Sequence, residues 1–90
     1  MIVKILDYGG DGEKFIEYGV FGLTSNQMEF LNENLEEETS IEGDVFKLRM
    51  CFSKDLYPFQ SEVAKYRLED FIAREEIEMT VFISSFLEDL

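Results

Sequence analysis

The chain has 90 residues, a length that holds a single domain because a second hydrophobic core does not fit. Its hydrophobic fraction is 46%, with nine Phe and four Tyr, which excludes a disordered chain despite the high charge. Twenty acidic and eight basic residues give a net charge of −12, which argues against direct binding to nucleic acid or an anionic membrane and favours a basic partner.

Cysteine usage and hydropathy favour a soluble, cytoplasmic protein. Cys51 is the single cysteine, so no intrachain disulfide is possible. The apolar run before Asp7 is too short for the core of a signal peptide, and no run approaches the roughly 18 residues that a membrane span needs.

The N-terminal residues predict a β-hairpin. Ile2 to Tyr8 and Phe15 to Leu23 are rich in β-branched and aromatic residues, and a glycine-rich stretch separates them. Gly19 and Gly22 weaken the second strand, which predicts a bulge or a close backbone approach there.

A helix is predicted to follow. Thr24 and Gln27 have the spacing of a capping box, and we expect the helix to run to about Glu37. The residues that would pack on the sheet share one stripe: Met28, Leu31 and Leu35.

The most distinctive stretch is an acidic ridge, by which we mean the carboxylates between residues 29 and 44, where no basic residue occurs. Its seven members are Glu29, Glu33, Glu36, Glu37, Glu38, Glu42 and Asp44. On a helix to Glu37, the first four would share an arc of about 100° opposite the apolar stripe. Phe30 falls beside Glu37 on this wheel, which leaves it either exposed beside the ridge or tucked under a loop.

The next segment predicts a loop and then a half-buried strand. Thr39 to Asp44 is expected to be a loop with Gly43 at a turn, and Val45 to Phe52 alternates clearly. One face holds Phe46, Leu48, Met50 and Phe52, and the other holds Val45, Lys47, Arg49 and Cys51. We expect the two basic residues to pair with nearby Glu side chains.

The C-terminal part predicts a second helix and a last strand. Gln60 or Ser61 would cap this helix, which would run to about Arg74. Ile77 to Ile83 is interpreted as a fourth strand, with a helical continuation through this stretch as the competing interpretation. In a strand, one face would hold Ile77, Met79, Val81 and Ile83, and the other Glu78, Thr80, Phe82 and Ser84.

These elements follow the order β-β-α-β-α-β. Residues 1–90 are therefore expected to form one acidic α+β domain, with two helices packed on one face of a mixed or mostly antiparallel four-stranded sheet.

The chain lacks the residues that most enzymatic reactions require. The chain has no histidine and neither a dinucleotide-binding nor a Walker A glycine motif, so we expect no catalysis and no cofactor. Asp7, Asp11 and Glu13 flank a glycine loop, but their spacing does not match an EF-hand, and an ordinary turn is preferred to a metal site. An enzyme that uses carboxylates with a metal is the least favoured hypothesis.

The first functional hypothesis is a non-enzymatic protein that binds and blocks a basic, nucleic-acid-binding site on a partner protein. In general character the chain resembles phage anti-restriction or anti-CRISPR proteins and the immunity proteins or antitoxins that neutralise basic toxins. The predicted partner-binding residues are Glu29, Phe30, Glu33, Glu36, Glu37, Glu38, Glu42 and Asp44. The alternative is a structural or regulatory module that binds through apolar surface or a strand edge, its charge serving only solubility.

Overall fold

A computed structural model describes residues 1–9, 14–52 and 68–90. The described elements are β1 (Ile2–Gly9), β2 (Lys14–Phe21), α1 (Ser25–Asn34), β3 (Glu38–Glu42), β4 (Val45–Phe52) and α2 (Leu68–Leu87). They confirm the predicted fold class, a small α+β domain with four strands and two helices. The order is β-β-α-β-β-α, so the fourth strand precedes the second helix instead of following it.

The sheet is antiparallel throughout and has the strand order β1-β2-β4-β3. Each half of the sheet is a hairpin of consecutive strands, and the two hairpins join through eight paired positions between β2 and β4. These two central strands therefore supply most of the buried sheet surface.

The sheet has one covered face and one open face, because side chains alternate along each strand. The described residues form one core, which lies between the covered face and the helices α1 and α2. Its strand residues are Val3, Ile16, Tyr18, Val20, Phe46 and Leu48, its helix residues are Met28, Leu31, Met79 and Ile83, and Leu35 at the C-cap of α1 completes it. Both helices therefore pack on the same face, as the apolar stripe of α1 predicts.

The bulge lies in β1, beside the glycine in the middle of β2, and not in β2 where it was predicted. The β1–β2 register shifts between Ile5 and Asp7, which leaves Leu6 as an extra residue. The Leu6 side chain lies over Gly19, where an added Cβ would come within 2.9 Å of its Cδ1 atom. Gly19 thus leaves room for Leu6 to lie flat on the open face.

α1 begins as predicted but ends earlier. Thr24 and Gln27 form the capping box, with the Gln27 amide 3.2 Å from Thr24 Oγ1 and the Thr24 amide 2.9 Å from Gln27 Oε1. The helix stops at Asn34, and the prediction that it reaches Glu37 was wrong. No basic side chain lies in its last turn, and further carboxylates there would lie at the negative end of the helix dipole.

The segment predicted as a loop, Thr39 to Asp44, contains a strand. β3 pairs with β4 from Glu38 to Glu42, and only Gly43 and Asp44 form the turn. Gly43 is confirmed as a turn residue, and its φ of 61° at the first turn position matches the two-residue hairpin turn that favours glycine there. Pairing with β4 gives the backbone of this polar segment its hydrogen-bond partners.

The prediction of a strand at Ile77 to Ile83 was wrong, and the competing helical interpretation was correct. In α2 Met79 and Ile83 are buried one turn apart, whereas Ile77 and Val81 are 64% and 61% exposed. A strand would have placed all four on one face, so this burial follows the helical period. The predicted start of the second helix, residues 60–67, lies outside the described residues, and residues 68–74 belong to α2.

α2 is attached to the edge of the sheet by a charged group. The Ile5 amide of β1 donates a hydrogen bond to Glu76 Oε2 at 2.8 Å. This contact covers part of an edge strand that would otherwise expose its backbone. Within the described residues, no helix combines the length and the apolar character needed to cross a membrane.

Candidate partner-binding surface

The acidic ridge is divided between two parts of the molecule. Glu29 and Glu33 lie on the exposed side of α1, and Glu36 and Glu37 follow its end. Because the helix stops at Asn34, the last two do not share a helical face with the first two. These four residues form what we call the helix-side half of the ridge.

The rest of the ridge belongs to the β3–β4 hairpin. Glu38 lies opposite Arg49, and Glu42 lies opposite Val45, so both lie on the open face of the sheet. Asp44 lies in the hairpin turn. We call Glu38, Glu42 and Asp44 the hairpin half of the ridge.

The basic residues of β4 form ion pairs with neighbouring carboxylates, as predicted. Lys47 Nζ lies 2.7 Å from Glu42 Oε2, and Arg49 Nη2 lies 3.5 Å from Glu17 Oε2. The Arg49 guanidinium also lies over the Phe15 ring, 4.3 Å from its centroid. The hydrogen bond from Lys47 to Glu42 raises the pKa of the Lys47 ammonium. The hairpin half is therefore partly neutralised.

Phe30 does not project from the ridge. It is half-buried, and its ring centroid lies 5.8 Å from that of Phe86 in a tilted arrangement. Phe86 in turn contacts Phe82 with a centroid separation of 6.0 Å. The ring is therefore not exposed beside the ridge, and among the described residues it packs against α2. It contributes to the contact between α1 and α2.

Charge is segregated between the two layers of the fold. We define the helix layer as residues 25–37 and 68–90, which contain eleven carboxylates and one basic residue, Arg74. This layer thus carries a net charge of −10 out of the −12 of the chain. On the open face of the sheet, by contrast, Lys47 and Arg49 lie in ion pairs with Glu42 and Glu17. Among the described residues, negative charge is therefore concentrated in the helix layer.

A cavity of about 260 Å³ opens on this negative side, between α2, the segment after α1 and the end of β4. Its apolar and aromatic walls are Tyr18, Met50, Phe52, Met79 and Phe82, and its carboxylates are Glu37, Glu75 and Glu78. A second depression of about 240 Å³ shares Glu37 and Phe82 with it and adds residues from the end of α1. The two depressions therefore adjoin each other at Glu37 and Phe82.

Tyr18 and Glu75 interact within the cavity. The buried Tyr18 hydroxyl donates a hydrogen bond to the Glu75 carboxylate. Burial, followed by the charge of Glu75, raises the pKa of the Tyr18 hydroxyl, so it remains a neutral donor. Burial, followed by the charge of Glu78, raises the pKa of Glu75, although the hydrogen bond from Tyr18 and the charge of Arg74 oppose this shift. Glu75 is thus a carboxylate whose negative charge is poorly compensated.

The cavity residues of α2 were not among the sequence-predicted site residues. Glu75, Glu78 and Phe82 are spaced by three and four residues, which places them on one side of a helix. This signal is present in the sequence, but the strand interpretation of residues 77–83 assigned Glu78 and Phe82 to a sheet face and concealed it.

The described residues contain no group of three or more metal-binding side chains. Asp11 and Glu13 of the glycine loop lie outside the described residues. Cys51 is exposed on the open face of the sheet, away from the cavity. The cavity is lined by carboxylates and aromatic rings, which are groups that attract cations.

Comparison with curated proteins finds no match to this chain. A family model does match, and it spans residues 2–89, which is nearly the entire chain. The protein therefore belongs to DUF5750, a family of unknown function.

Proposed function

We propose that this protein is a non-enzymatic binding protein whose helix layer occupies a basic site on a partner protein. The observation that carries the proposal is the segregation of charge, with −10 of the −12 net charge in the helix layer. Such a surface attracts a basic partner over a long range, while the described part of the sheet side, where acidic and basic residues nearly balance, contributes little.

A nucleic-acid-binding site is the basic site that fits this surface best. Glu29 and Glu33 are four residues apart on the exposed side of α1, which corresponds to a separation of about 5–6 Å. This spacing is close to that of successive phosphates along one strand, and Glu36 and Glu37 extend the negative surface beyond the helix. The class of protein is that of cytoplasmic inhibitors such as phage anti-restriction or anti-CRISPR proteins, or of immunity proteins and antitoxins.

The mechanism is electrostatic steering followed by occlusion. The helix layer accelerates encounter with the positively charged groove, and the docked domain then excludes nucleic acid from it. No bond is made or broken, which agrees with the absence of histidine from the chain.

Affinity capture from native cell extract tests this proposal. The baits are the wild-type protein, the helix-side variant E29Q/E33Q/E36Q and the hairpin variant E38Q/E42Q/D44N, which remove equal charge from the two halves of the ridge. We expect a nucleic-acid-binding protein to be retained by the wild type and the hairpin variant, to be lost from the helix-side variant, and to be released by competing DNA or about 0.5 M salt. A partner retained by all three baits at high salt and with DNA would contradict the proposal.

The exposed apolar side of α2 favours a second candidate, a module that binds through apolar contacts. Ile77 and Val81 are 64% and 61% exposed and lie one turn apart on its outer side. A complex formed there would persist at about 0.5 M salt, where charges are screened within a few ångströms. It would be lost from the variant I77S/V81S and kept by the helix-side variant, which separates the two candidates.

A further inference from the structure

We propose that the cavity between α2 and the end of β4 receives an arginine side chain of the partner protein. This inference rests on the proposed function and specifies the contact at its centre. The occupant is a guanidinium group on an aliphatic stem, presented by the surface of the partner protein.

The walls of the cavity suit the aliphatic stem and the planar guanidinium group of an arginine side chain. Met50 and Met79 supply flexible apolar surface, and Phe82 supplies an aromatic ring that is 40% exposed. At about 260 Å³ the cavity is smaller than the roughly 300–1,000 Å³ of sites that bind drug-sized ligands. It is therefore suited to a single side chain and not to a cofactor.

The carboxylates of the cavity suit the charged head. Glu37, Glu75 and Glu78 approach it from the segment after α1 and from α2. Among the described residues, none of the three is in a salt bridge, in contrast to Glu17 and Glu42 on the open face of the sheet. A guanidinium group would supply the missing positive charge and donate paired hydrogen bonds to these oxygens.

The open face of the same molecule already contains this arrangement. There the Arg49 guanidinium lies over the Phe15 ring at 4.3 Å while its Nη2 atom lies 3.5 Å from a Glu17 oxygen. An aromatic ring and a carboxylate thus hold one guanidinium group together. The cavity presents the same two components, Phe82 and Glu78, with no arginine of the described residues between them.

Arginine fits better than lysine for two reasons. Its planar group stacks on aromatic rings and bridges two carboxylates, whereas an ammonium group acts as a strongly hydrated point charge. Arginine is also common in phosphate-binding sites and at the centres of protein interfaces. The surface that the proposed function requires is therefore rich in the residue that this cavity accepts.

The test uses short peptides as probes and needs no knowledge of the partner. Acetyl-Gly-Arg-Gly-amide is titrated into the full chain with ¹³C-labelled methionine methyl groups, and the neutral isostere citrulline replaces arginine in the control peptide. We expect saturable shifts of the Met50 and Met79 methyl signals with millimolar affinity, while Met1 and Met28, which lie outside the cavity, remain in place. The citrulline peptide is expected to produce no saturable shift.

Two variants that each remove one carboxylate test which negative charge binds the arginine peptide. We expect E78Q to weaken arginine binding about five- to tenfold, because a charged hydrogen-bond acceptor is lost. D44N removes one charge at the hairpin turn, about 20 Å along β4 from the cavity, and is expected to leave binding unchanged. An unchanged Met28 signal shows that each variant is folded.

The proposal is overturned if the Met50 and Met79 signals do not move, or if citrulline moves them equally. The peptide test is independent of the capture experiment, so the two failures are distinguishable. A failed titration with successful, salt-sensitive capture would reject the cavity and retain the helix layer. A successful titration without such capture would retain the cavity as an arginine site and reject the helix layer as the binding surface.

Discussion

Glu75 and Glu76 are neighbours on α2 but have different surroundings, because successive side chains of a helix point about 100° apart. Glu76 turns toward the edge strand and accepts the Ile5 amide at 2.8 Å. Glu75 turns toward the cavity and accepts the Tyr18 hydroxyl. Glu76 therefore joins α2 to the edge strand, and Glu75 helps to form the candidate site.

Loss of the Glu76 carboxylate is expected to destabilise the domain. In E76A the Ile5 amide loses its partner, and a hydrogen bond to a charged group contributes about 1.5–3 kcal/mol, reduced here by partial exposure to about 1–2 kcal/mol. Urea unfolding measures the change. The control E69A alters an exposed carboxylate in the first turn of the same helix and is expected to cost less than about 0.5 kcal/mol. Equal losses in both variants would show that the contact with β1 does not contribute.

Glu75 is expected to make stability depend on pH. Because folding raises its pKa, the folded state holds this proton more tightly than the unfolded state does. The resulting stabilisation is complete below the ordinary glutamate pKa of about 4.3 and is lost as the pH rises through the raised value. Relative to wild type, E75Q is therefore expected to gain stability between about pH 4 and pH 7.

Urea unfolding at a series of pH values measures this difference. The glutamine side chain of the E75Q variant would still accept the hydrogen bond from Tyr18, so the substitution mainly removes the charge. E33Q, which changes an exposed carboxylate on α1, is the control. A stability difference between E75Q and wild type that is constant across this range would contradict the raised pKa.

At the scale of elements, the β3–β4 hairpin depends on its turn. Gly43 has a φ of 61°, a left-handed conformation that a β-branched side chain adopts only with strain. We expect G43V to lower the free energy of unfolding by about 1–2 kcal/mol and G43N to cost less, because asparagine tolerates this conformation. Thermal unfolding of both variants measures the difference. Equal stability of G43V and wild type would show that the hairpin does not depend on this turn.

The sequence predicts elements whose local signals and tertiary environment agree. The alternation of Val45 to Phe52 and the capping box at Thr24 each identify one structure, and both are present. In residues 77–83 the local pattern is ambiguous, because apolar residues at every second position include pairs spaced by four. Packing decides the outcome: Met79 and Ile83 meet the core, while Ile77 and Val81 remain exposed.

The sequence pattern does not predict the β3–β4 hairpin, although it contains a turn signal for it. Gly-Asp between Glu42 and Val45 is a typical two-residue hairpin turn. The residues of β3 are polar and largely exposed, so no hydrophobic alternation marks the strand. Its existence depends on pairing with β4, a tertiary contact that periodicity does not encode.

At the scale of the whole molecule, the sequence identifies the carboxylates but not their grouping. The acidic ridge is continuous along the chain, yet the fold assigns Glu29 to the helix layer and Glu42 to an ion pair on the sheet. Glu75 and Glu78, distant in sequence, join Glu37 at the cavity. Which charges act together is set by the packing of α2, and this could not be derived from the order of the residues.

The segregation of charge has an energetic consequence for the fold. Like charges gathered in the helix layer repel one another and favour expansion. The core offsets this repulsion, since aromatic and aliphatic residues from both helices and three strands are buried in one cluster. The repulsion between these charges destabilises the free protein, and a partner surface of opposite charge would reduce it.

The association rate with the captured partner tests the central claim most directly, measured for three proteins over a range of salt concentrations. The helix-side variant E29Q/E33Q/E36Q is expected to bind at least about tenfold more slowly at low salt and with a flatter salt dependence, because steering depends on those charges. The hairpin variant E38Q/E42Q/D44N, with the same change in net charge, is expected to stay close to wild type. Equal slowing of both variants would show that net charge alone acts, and no slowing of either would show that the helix layer is not the binding surface.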